Sequence, residues 1–308
     1  MVSLLRVITT CTFCVKNHHH RAQKRSTHAM PSSSGVANRI ISARFIHSSS
    51  ASCCPSNTLL YNSASNSANL DSDGNCKFGT KQYWNDMYEG VIETVDRPST
   101  SYSWYCGWDE LQPFWNDLIL LTPINTADAE EYSSGSMIDN NGSRHLRHNL
   151  SRIMIAGIGN DPTAVRMYDA GWTNMTAFDY SAVAVNRAGN LFGTDRDVSL
   201  LHADFTDLMG VIKTASVDAT LDKGTLDAIH IAGPDLFAKS VQELARVTAD
   251  GGVVMCISNV VMEDEWHDAF SGAEWEMIHD GGLAFASGGE ATIDLGASLY
   301  SWRRTPAR

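Results

Sequence analysis

Residues 152–179 read RIMIAGIGNDPTAVRMYDAGWTNMTAFD, and their order predicts a strand, a glycine turn, a helix and a second strand. The apolar run 153–156 is typical of a buried parallel strand. Gly157 and Gly159 follow it at once, and such a tight turn lets the backbone approach a ligand closely. The stretch therefore predicts the first half of a ligand-binding α/β sheet.

The helix of this unit is predicted from its two ends. Asp161 has a side chain suited to the N-cap, Pro162 fits the first helical position, and Gly171 ends the helix. The second strand, residues 175–178, then delivers Asp179 to the carboxyl edge of the sheet. An acid about 20 residues after the glycines can accept hydrogen bonds from two ribose hydroxyls. This half therefore binds a nucleoside, but its third motif glycine is absent, so the motif leaves the cofactor open.

The alternation of strands and helices continues to the end of the chain. It predicts a Rossmann-like α/β fold with a mostly parallel sheet and flanking helices. The further strands are expected at residues 198–203, 217–221, 253–257, 275–278 and 298–302, and a helix capped by Asp235 is expected through Val247. Asp179, Asp204 and Asp222 each follow a strand, so we expect these three acids to gather at one edge of the sheet.

The charge of the chain is divided unequally. The net charge is −12, yet no Asp or Glu precedes Asp71. All 35 acidic residues therefore belong to the body, whose acidity disfavours binding to a nucleic acid backbone and favours a basic partner. No segment approaches the roughly 20 apolar residues of a membrane span.

Residues 1–54 are basic, rich in serine and free of acids, which is the composition of a mitochondrial transit peptide. A transit peptide predicts that the protein is located in the mitochondrial matrix. The alternative is that these residues are a disordered extension, and the second expected location is the cytoplasm. Residues 55–80 are interpreted as a polar linker and residues 81–308 as the folded domain. Cys11, Cys14 and His18 to His20 lack a second ligand pair, so no metal site is predicted. Cys76, Cys106 and Cys256 are expected as free thiols.

Two aromatic segments precede the first strand, YWNDMY at residues 83–88 and YSWY at residues 102–105. Either the rings pack on the core from an N-terminal helix, or they cover a bound cofactor. A core-facing helix follows, with apolar residues at helical spacing from Trp108 to Leu121. Residues 124–149, rich in Ser, Asn, Asp and Gly, are predicted to be an exposed insertion.

Five segments together carry a resemblance to a known family. The run LDKGTLDA at residues 221–228 resembles the (D/E)KGTLDA motif of one branch of the seven-strand S-adenosylmethionine-dependent methyltransferases. That branch contains the methyltransferase-like enzymes that act on lysines of translation elongation factor and citrate synthase. The two aromatic segments with Asp109-Glu110-Leu111, the loop GIGN at residues 157–160 and FDYS at residues 178–181 resemble its other motifs. The resemblance extends from Lys81 to Trp302.

The resemblance implies roles for individual residues. It implies S-adenosylmethionine as the cofactor and a protein that presents a lysine as the substrate. The implied cofactor-binding residues are Gly157, Gly159 and Lys223 at the methionine part, Asp179 and Tyr180 at the ribose and adenine, Asp204 and Phe205 at the adenine, and Trp84, Tyr88 and Trp104 as a cover. Asp161 stands where the family has serine, so an added acid near the cofactor carboxylate is expected to weaken binding.

A lysine must be neutral to attack a methyl group, so an acid beside the acceptor would assist it. Asp222 is our first candidate for orienting the acceptor nitrogen, and Asp227 is the second. A helix-start carboxylate stabilised by the helix dipole is the alternative reading of Asp227. Two other functions remain open: a small-molecule methyltransferase, and a non-catalytic protein that binds the cofactor. A nicotinamide dehydrogenase is disfavoured by the missing glycine and the LDKGTLDA run. The oligomeric state is left open.

Overall fold

A computed structural model describes residues 74, 76–92, 100–120, 149–287 and 291–306. Within these ranges a seven-stranded sheet has the order β3-β2-β1-β4-β5-β7-β6. Strands β1 to β5 are parallel, and β7 runs antiparallel to both β5 and β6. The strands are β1 Ile153–Ala156, β2 Met175–Asp179, β3 Ser199–His202, β4 Val217–Lys223, β5 Thr248–Ser258, β6 Trp275–Ser287 and β7 Ala291–Arg304. The predicted fold class is confirmed.

Helices connect the parallel strands. The α-helices are α1 Lys81–Glu89, α2 Trp108–Leu120, α3 Thr163–Asp169, α4 Ala182–Phe192, α5 Thr225–Ala232, α6 Pro234–Val247 and α7 Glu263–Ala269. A short 3₁₀ helix, Lys77–Gly79, precedes α1. Among the described residues, no helix is both long and apolar enough to span a bilayer.

The sheet is covered on both faces because successive side chains of each strand point to opposite sides. Ile153 and Ile155 of β1 belong to one apolar cluster, with Trp115 of α2 and Met167 of α3. Met154 of β1 belongs to the other cluster. Burial of both faces explains why the strands read as continuous apolar runs.

Two helix starts differ from their predictions, by one residue in α3 and by two residues in α6. Pro162 occupies the N-cap of α3 and Thr163 is the first helical residue, although the Asp161 carboxylate still accepts from the Thr163 amide at 2.8 Å. Helix α6 begins at Pro234 after Gly233, so Asp235 lies in its first turn instead of capping it. In α6 the earlier start follows from proline, which has no amide proton to donate and fits the first helical position.

The linker prediction, residues 55–80, is wrong at its carboxyl end. Residues 77–79 form the 3₁₀ helix, which packs on α5, and a Cβ on Gly79 would lie 2.8 Å from the Ala232 amide nitrogen. The predicted targeting segment 1–54, the rest of the linker up to residue 73, and the insertion at residues 124–148 lie outside the described residues. Cys76, Cys106 and Cys256 are free thiols, as expected.

Candidate functional site

A cavity of about 190 Å³ lies at the carboxyl ends of β1, β2, β3 and β4. It brings together every predicted cofactor-binding residue except Gly159, which lies directly behind its wall. The predicted residues that line it are Trp84, Tyr88, Trp104, Gly157, Asp179, Tyr180, Asp204, Phe205 and Lys223. Sequence reasoning missed Phe78 and Gly79 of the 3₁₀ helix, Tyr105, Thr225 of α5 and Leu236 of α6, which also line it.

The glycine turn after β1 leaves no space for side chains. Gly157 and Gly159 have φ values of 59° and 54°, which L-residues with side chains rarely adopt. A Cβ on Gly157 would overlap the side chain of Thr225, and a Cβ on Gly159 would lie 2.8 Å from the Tyr88 hydroxyl. The turn therefore presents bare backbone to the cavity.

Asp179 is fixed by two backbone amides. Gly159 donates to its Oδ2 atom at 3.0 Å and Ser181 donates to its Oδ1 atom at 2.9 Å. Burial raises the pKa of this carboxyl group to about 6, although both amides favour the charged form and lower it. Each oxygen keeps further lone-pair capacity, so the carboxylate can accept two more donors from the cavity.

The adenine-side candidates occupy the neighbouring wall. The ring of Phe205 lies 5.2 Å from that of Phe178, and its side chain is buried. Asp204 is exposed, and its Oδ1 atom accepts from the amide and hydroxyl of Thr206 at 2.9 and 2.8 Å. The ring of Tyr180 is covered by the ammonium of Lys81, 5.3 Å from its centroid.

The aromatic segments form one wall of the cavity and are also tied to the core. The ring of Trp84 lies 6.1 Å from that of Tyr88 and 5.8 Å from that of Trp104. Helix α1, which carries two of these rings, is anchored by Ser181 of β2–α4, whose hydroxyl contacts Asn85 Oδ1 at 2.5 Å. Tyr88 packs with Met87 and Ala184 in a buried cluster. The packing reading is therefore confirmed for Tyr88, and the same rings line the cavity that a cofactor cover would need.

Lys223 is held in a polar cluster and does not extend freely into the cavity. Its ammonium donates to Ser103 Oγ at 2.6 Å, to the Cys106 carbonyl at 2.7 Å and to Thr163 Oγ1 at 3.1 Å. It also forms an ion pair with Asp161. The acid that replaces the family's serine is therefore neutralised by a cation, which removes the reason for expecting it to weaken cofactor binding.

The first acid candidate for the acceptor nitrogen is not at the cavity. Asp222 is fully buried, its Oδ1 atom accepts from the Leu226 amide at 3.1 Å, and it does not line the cavity. The start of α5 therefore binds this carboxylate, which places it away from the cavity lining instead of at it. Burial, and then the charge of Asp227, raise the pKa of Asp222 well above its ordinary value.

The second acid candidate does reach the cavity. Asp227 lines it with 2% of its surface exposed. Ser258 Oγ donates to its Oδ1 atom at 2.5 Å, Tyr105 donates to its Oδ2 atom at 2.5 Å, and the Asn259 amide donates to Oδ2 at 3.2 Å. Burial raises the pKa of Asp227, while the donated hydrogen bonds lower it. Asp227 lies in the first turn of α5, so the helix-start reading describes its place but not its hydrogen-bond partners.

Comparison with known proteins finds a methyltransferase domain in the centre of the chain. Residues 155–256, from β1 through most of β5, match the family model described as a methyltransferase domain. By this domain, the chain is an S-adenosylmethionine-dependent methyltransferase. The matched segment contains the glycine turn, Asp179, Lys223 and Asp227, so the family model covers the centre of the site.

Three relatives of this methyltransferase are informative. It is 28% identical over 204 residues to the protein-lysine N-methyltransferase EFM4 of Saccharomyces cerevisiae, which covers 61% of this chain and 78% of the yeast protein. It is 33% identical over 114 residues to the methyltransferase srdJ of Neurospora crassa, covering 35% and 48%. It is 30% identical over 112 residues to the human eEF1A lysine and N-terminal methyltransferase, covering 35% and 16%. The chain thus spans about half of the Neurospora protein and a small part of the human one.

The residues of this methyltransferase fit its cofactor. Bare backbone at Gly157, where a Cβ would overlap Thr225, allows close approach by the methionine part. The unused lone pairs of Asp179 match the two hydroxyls of a ribose. When bound, S-adenosylmethionine supplies a methyl group on a positively charged sulfur, and aromatic faces such as Trp84 and Trp104 suit a cation.

Proposed function

We propose that this methyltransferase methylates the side-chain nitrogen of a lysine in a protein. The observation that carries the proposal is Asp227, a buried carboxylate that reaches the aromatic cavity and is fixed by three donors. Relatives named protein-lysine N-methyltransferase and eEF1A lysine methyltransferase support the same substrate class.

Each group of residues in the cavity has its own role in the proposed reaction. Asp179 accepts the ribose hydroxyls, Gly157 and Gly159 admit the methionine part, and Phe205, Tyr180 and Asp204 form the adenine end. Trp84, Tyr88 and Trp104 exclude water over the reacting centre. Holding the two reactants in line contributes on the order of 7–11 kcal/mol to lowering the barrier. Lys223 positions the loop of Trp104 through its hydrogen bonds to Ser103 and Cys106.

Asp227 replaces Asp222 as the acid that serves the acceptor. A lysine ammonium has no lone pair, so it must lose a proton before it can attack a methyl group. A buried carboxylate attracts the cation into an apolar mouth, and burial raises the pKa of that carboxyl group toward values at which it can hold a proton. The acidic body as a whole favours a basic protein segment over a free anion.

The experiment incubates the full-length chain with methyl-labelled S-adenosylmethionine and purified eEF1A, and in parallel with mitochondrial and cytosolic extracts. We expect label in a protein band, with mass spectrometry locating the methyl group on a lysine. D227N should abolish labelling while retaining cofactor binding, whereas D169N, at an exposed ion pair with Arg196, should not alter it. Label confined to small molecules would support the alternative substrate class, and cofactor binding without turnover would support a non-catalytic protein.

The protein acts in the mitochondrial matrix. Support comes from residues 1–54, which contain basic residues and serines but no acid. The test follows the location of a fluorescent protein fused to residues 1–54. The control is the same fusion in which the six arginines and lysines from Arg6 to Arg39 are changed to glutamine. Import of the first fusion and cytoplasmic retention of the second are expected. A first fusion that stays in the cytoplasm would contradict the location.

A further inference from the structure

Asp227 has little capacity left for direct contact with a substrate. Its Oδ2 atom already accepts from the Tyr105 hydroxyl and the Asn259 amide, and its Oδ1 atom accepts from Ser258. A carboxylate oxygen accepts two strong hydrogen bonds in the plane of the group, so Oδ2 is saturated. Only 2% of the residue is exposed. Asp227 could therefore receive the acceptor's proton through a second side chain that lies between its carboxylate and the acceptor nitrogen.

Tyr105 has the position and the free lone pairs to be that group. It lines the cavity, and its single hydroxyl proton is donated to Asp227 at 2.5 Å, so its oxygen can only accept from a substrate. Burial, followed by the charge of Asp227, raises the pKa of Tyr105 well above its ordinary value, so the side chain is a neutral phenol. The residue is held at φ 62°, and its ring lies 3.1 Å from where a Gly224 Cβ would stand.

We propose that Tyr105 is a catalytic residue that relays the acceptor's proton to Asp227, an inference that rests on the proposed lysine methylation. An N–H bond of the acceptor ammonium breaks, and its proton forms an O–H bond with Tyr105 Oη. The original hydroxyl proton of Tyr105 leaves at the same time and binds Asp227 Oδ2. The nitrogen keeps its electron pair and is neutral for attack, the phenol is regenerated, and no group is oxidised or reduced.

A purely structural role for the hydroxyl would predict that it holds the loop in place. That loop, residues 103–106, is already fixed elsewhere, because Lys223 binds both Ser103 Oγ and the Cys106 carbonyl. The ring of Tyr105 also packs next to Gly224, a contact that phenylalanine would keep. Removing the hydroxyl alone should therefore leave the cavity intact and interrupt the proton path.

The test compares Y105F, D227N and the double variant in the full-length chain. Turnover at saturating substrate and the Kd of S-adenosylmethionine are both measured. We expect Y105F to lower turnover about 100-fold, within the range for general acid–base catalysis, and to leave the cofactor Kd within about threefold. The double variant should be no slower than D227N, because groups that act as one unit lose activity non-additively. Y168F, whose hydroxyl accepts from the Asp197 amide at 3.0 Å and which does not line the cavity, is the matched control and should be unaffected.

Each contrary outcome has a distinct meaning. Y105F turnover within about threefold of wild type, or multiplicative losses in the double variant, would overturn the relay while leaving lysine methylation in place. A parallel loss of cofactor affinity in Y105F would show a structural role and would equally overturn it. Failure of the wild-type chain to methylate any protein lysine would overturn the proposed function, and the relay with it.

Discussion

Lys223 at the end of β4 donates to Ser103 Oγ at 2.6 Å, across 120 positions of the chain. This single contact joins the strand that precedes the catalytic helix α5 to the loop that carries Trp104 and Tyr105. The same ammonium also pairs with Asp161 at the glycine turn. The cofactor turn and the loop of the aromatic wall are therefore both bound by one buried cation.

The Lys223–Asp161 pair should contribute to stability. D161N keeps the oxygen that accepts from the Thr163 amide but removes the charge that pairs with Lys223, whose side chain is only 7% exposed. We expect a loss of about 1.5–3 kcal/mol, the range for hydrogen bonds to charged groups, measured by urea unfolding. D169N removes an exposed pair and should cost much less. Equal losses in the two variants would contradict a special role for the buried pair.

The glycine turn should not tolerate alanine, and a second glycine isolates the reason. Gly157 and Gly210 both have positive φ, at 59° and 78°, but only a Cβ on Gly157 would meet another side chain. G210A should cost about 1–2 kcal/mol of unfolding free energy from backbone strain alone. G157A should cost about 1–3 kcal/mol more, because of overpacking against Thr225, and should also weaken cofactor binding. G157A as stable as G210A would refute the steric argument.

Cofactor affinity should depend on pH through Asp179. Burial raises the pKa of its carboxyl group to about 6, and a protonated carboxyl accepts the ribose hydroxyls poorly. Affinity should therefore be constant above about pH 7 and fall by up to tenfold per unit as the pH drops below about 6. D179N should bind weakly and without this dependence in isothermal titration. A wild-type affinity that is flat between pH 5 and 7, as read by the same titration, would contradict the assignment.

Asp179 should affect the stability of the fold with a pH dependence of the opposite sign to that of cofactor affinity. The folded-state pKa of Asp179 lies above the value of about 3.9 for an unfolded chain, so the folded protein binds the proton more tightly. The contribution of this group to stability is therefore full below about pH 4 and falls as the pH rises through about 6. D179N should lack this part of the pH dependence of unfolding. Identical pH profiles of the two proteins would count against the raised pKa.

The two acids of the LDKGTLDA run should respond differently to the same substitution. D222N keeps the oxygen that accepts from Leu226 and removes a buried charge close to Asp227, so it should preserve turnover within a few-fold and preserve or raise stability at neutral pH. D227N should lower turnover at least about 100-fold. Steady-state kinetics with thermal unfolding measures both. Loss of turnover in D222N with unchanged cofactor affinity would restore Asp222 as the acceptor's acid.

Much of the fold follows from local pattern, because buried parallel strands appear as apolar runs and acids follow them. The pattern of apolar runs predicts that Asp222 lies near the carboxyl end of a strand, but it does not predict the direction of the Asp222 carboxylate. Asp179 is the last residue of β2 and Asp222 is the last but one of β4, yet Asp179 binds the glycine turn while Asp222 binds the first turn of α5. That difference depends on how closely a helix follows its strand, which is a tertiary property.

Two further features could not be predicted from local pattern. Tyr105 adopts a left-handed backbone conformation that nothing in the segment YSWY indicates, and its partner Asp227 is 122 positions away. Phe78 and Gly79 lie in a segment whose composition is that of a linker, but contacts with α5 fold them against the cavity. In both cases long-range packing decides the local structure.

The fate of the methyl group decides whether this protein methylates a protein lysine. The full-length chain is incubated with methyl-labelled S-adenosylmethionine and extract protein, beside D179A and D227N, and label is followed separately in proteins and small molecules. We expect label on a lysine side chain of a protein, located by mass spectrometry and lost in both variants. Label only in small molecules, or protein label that persists in D227N, would contradict it.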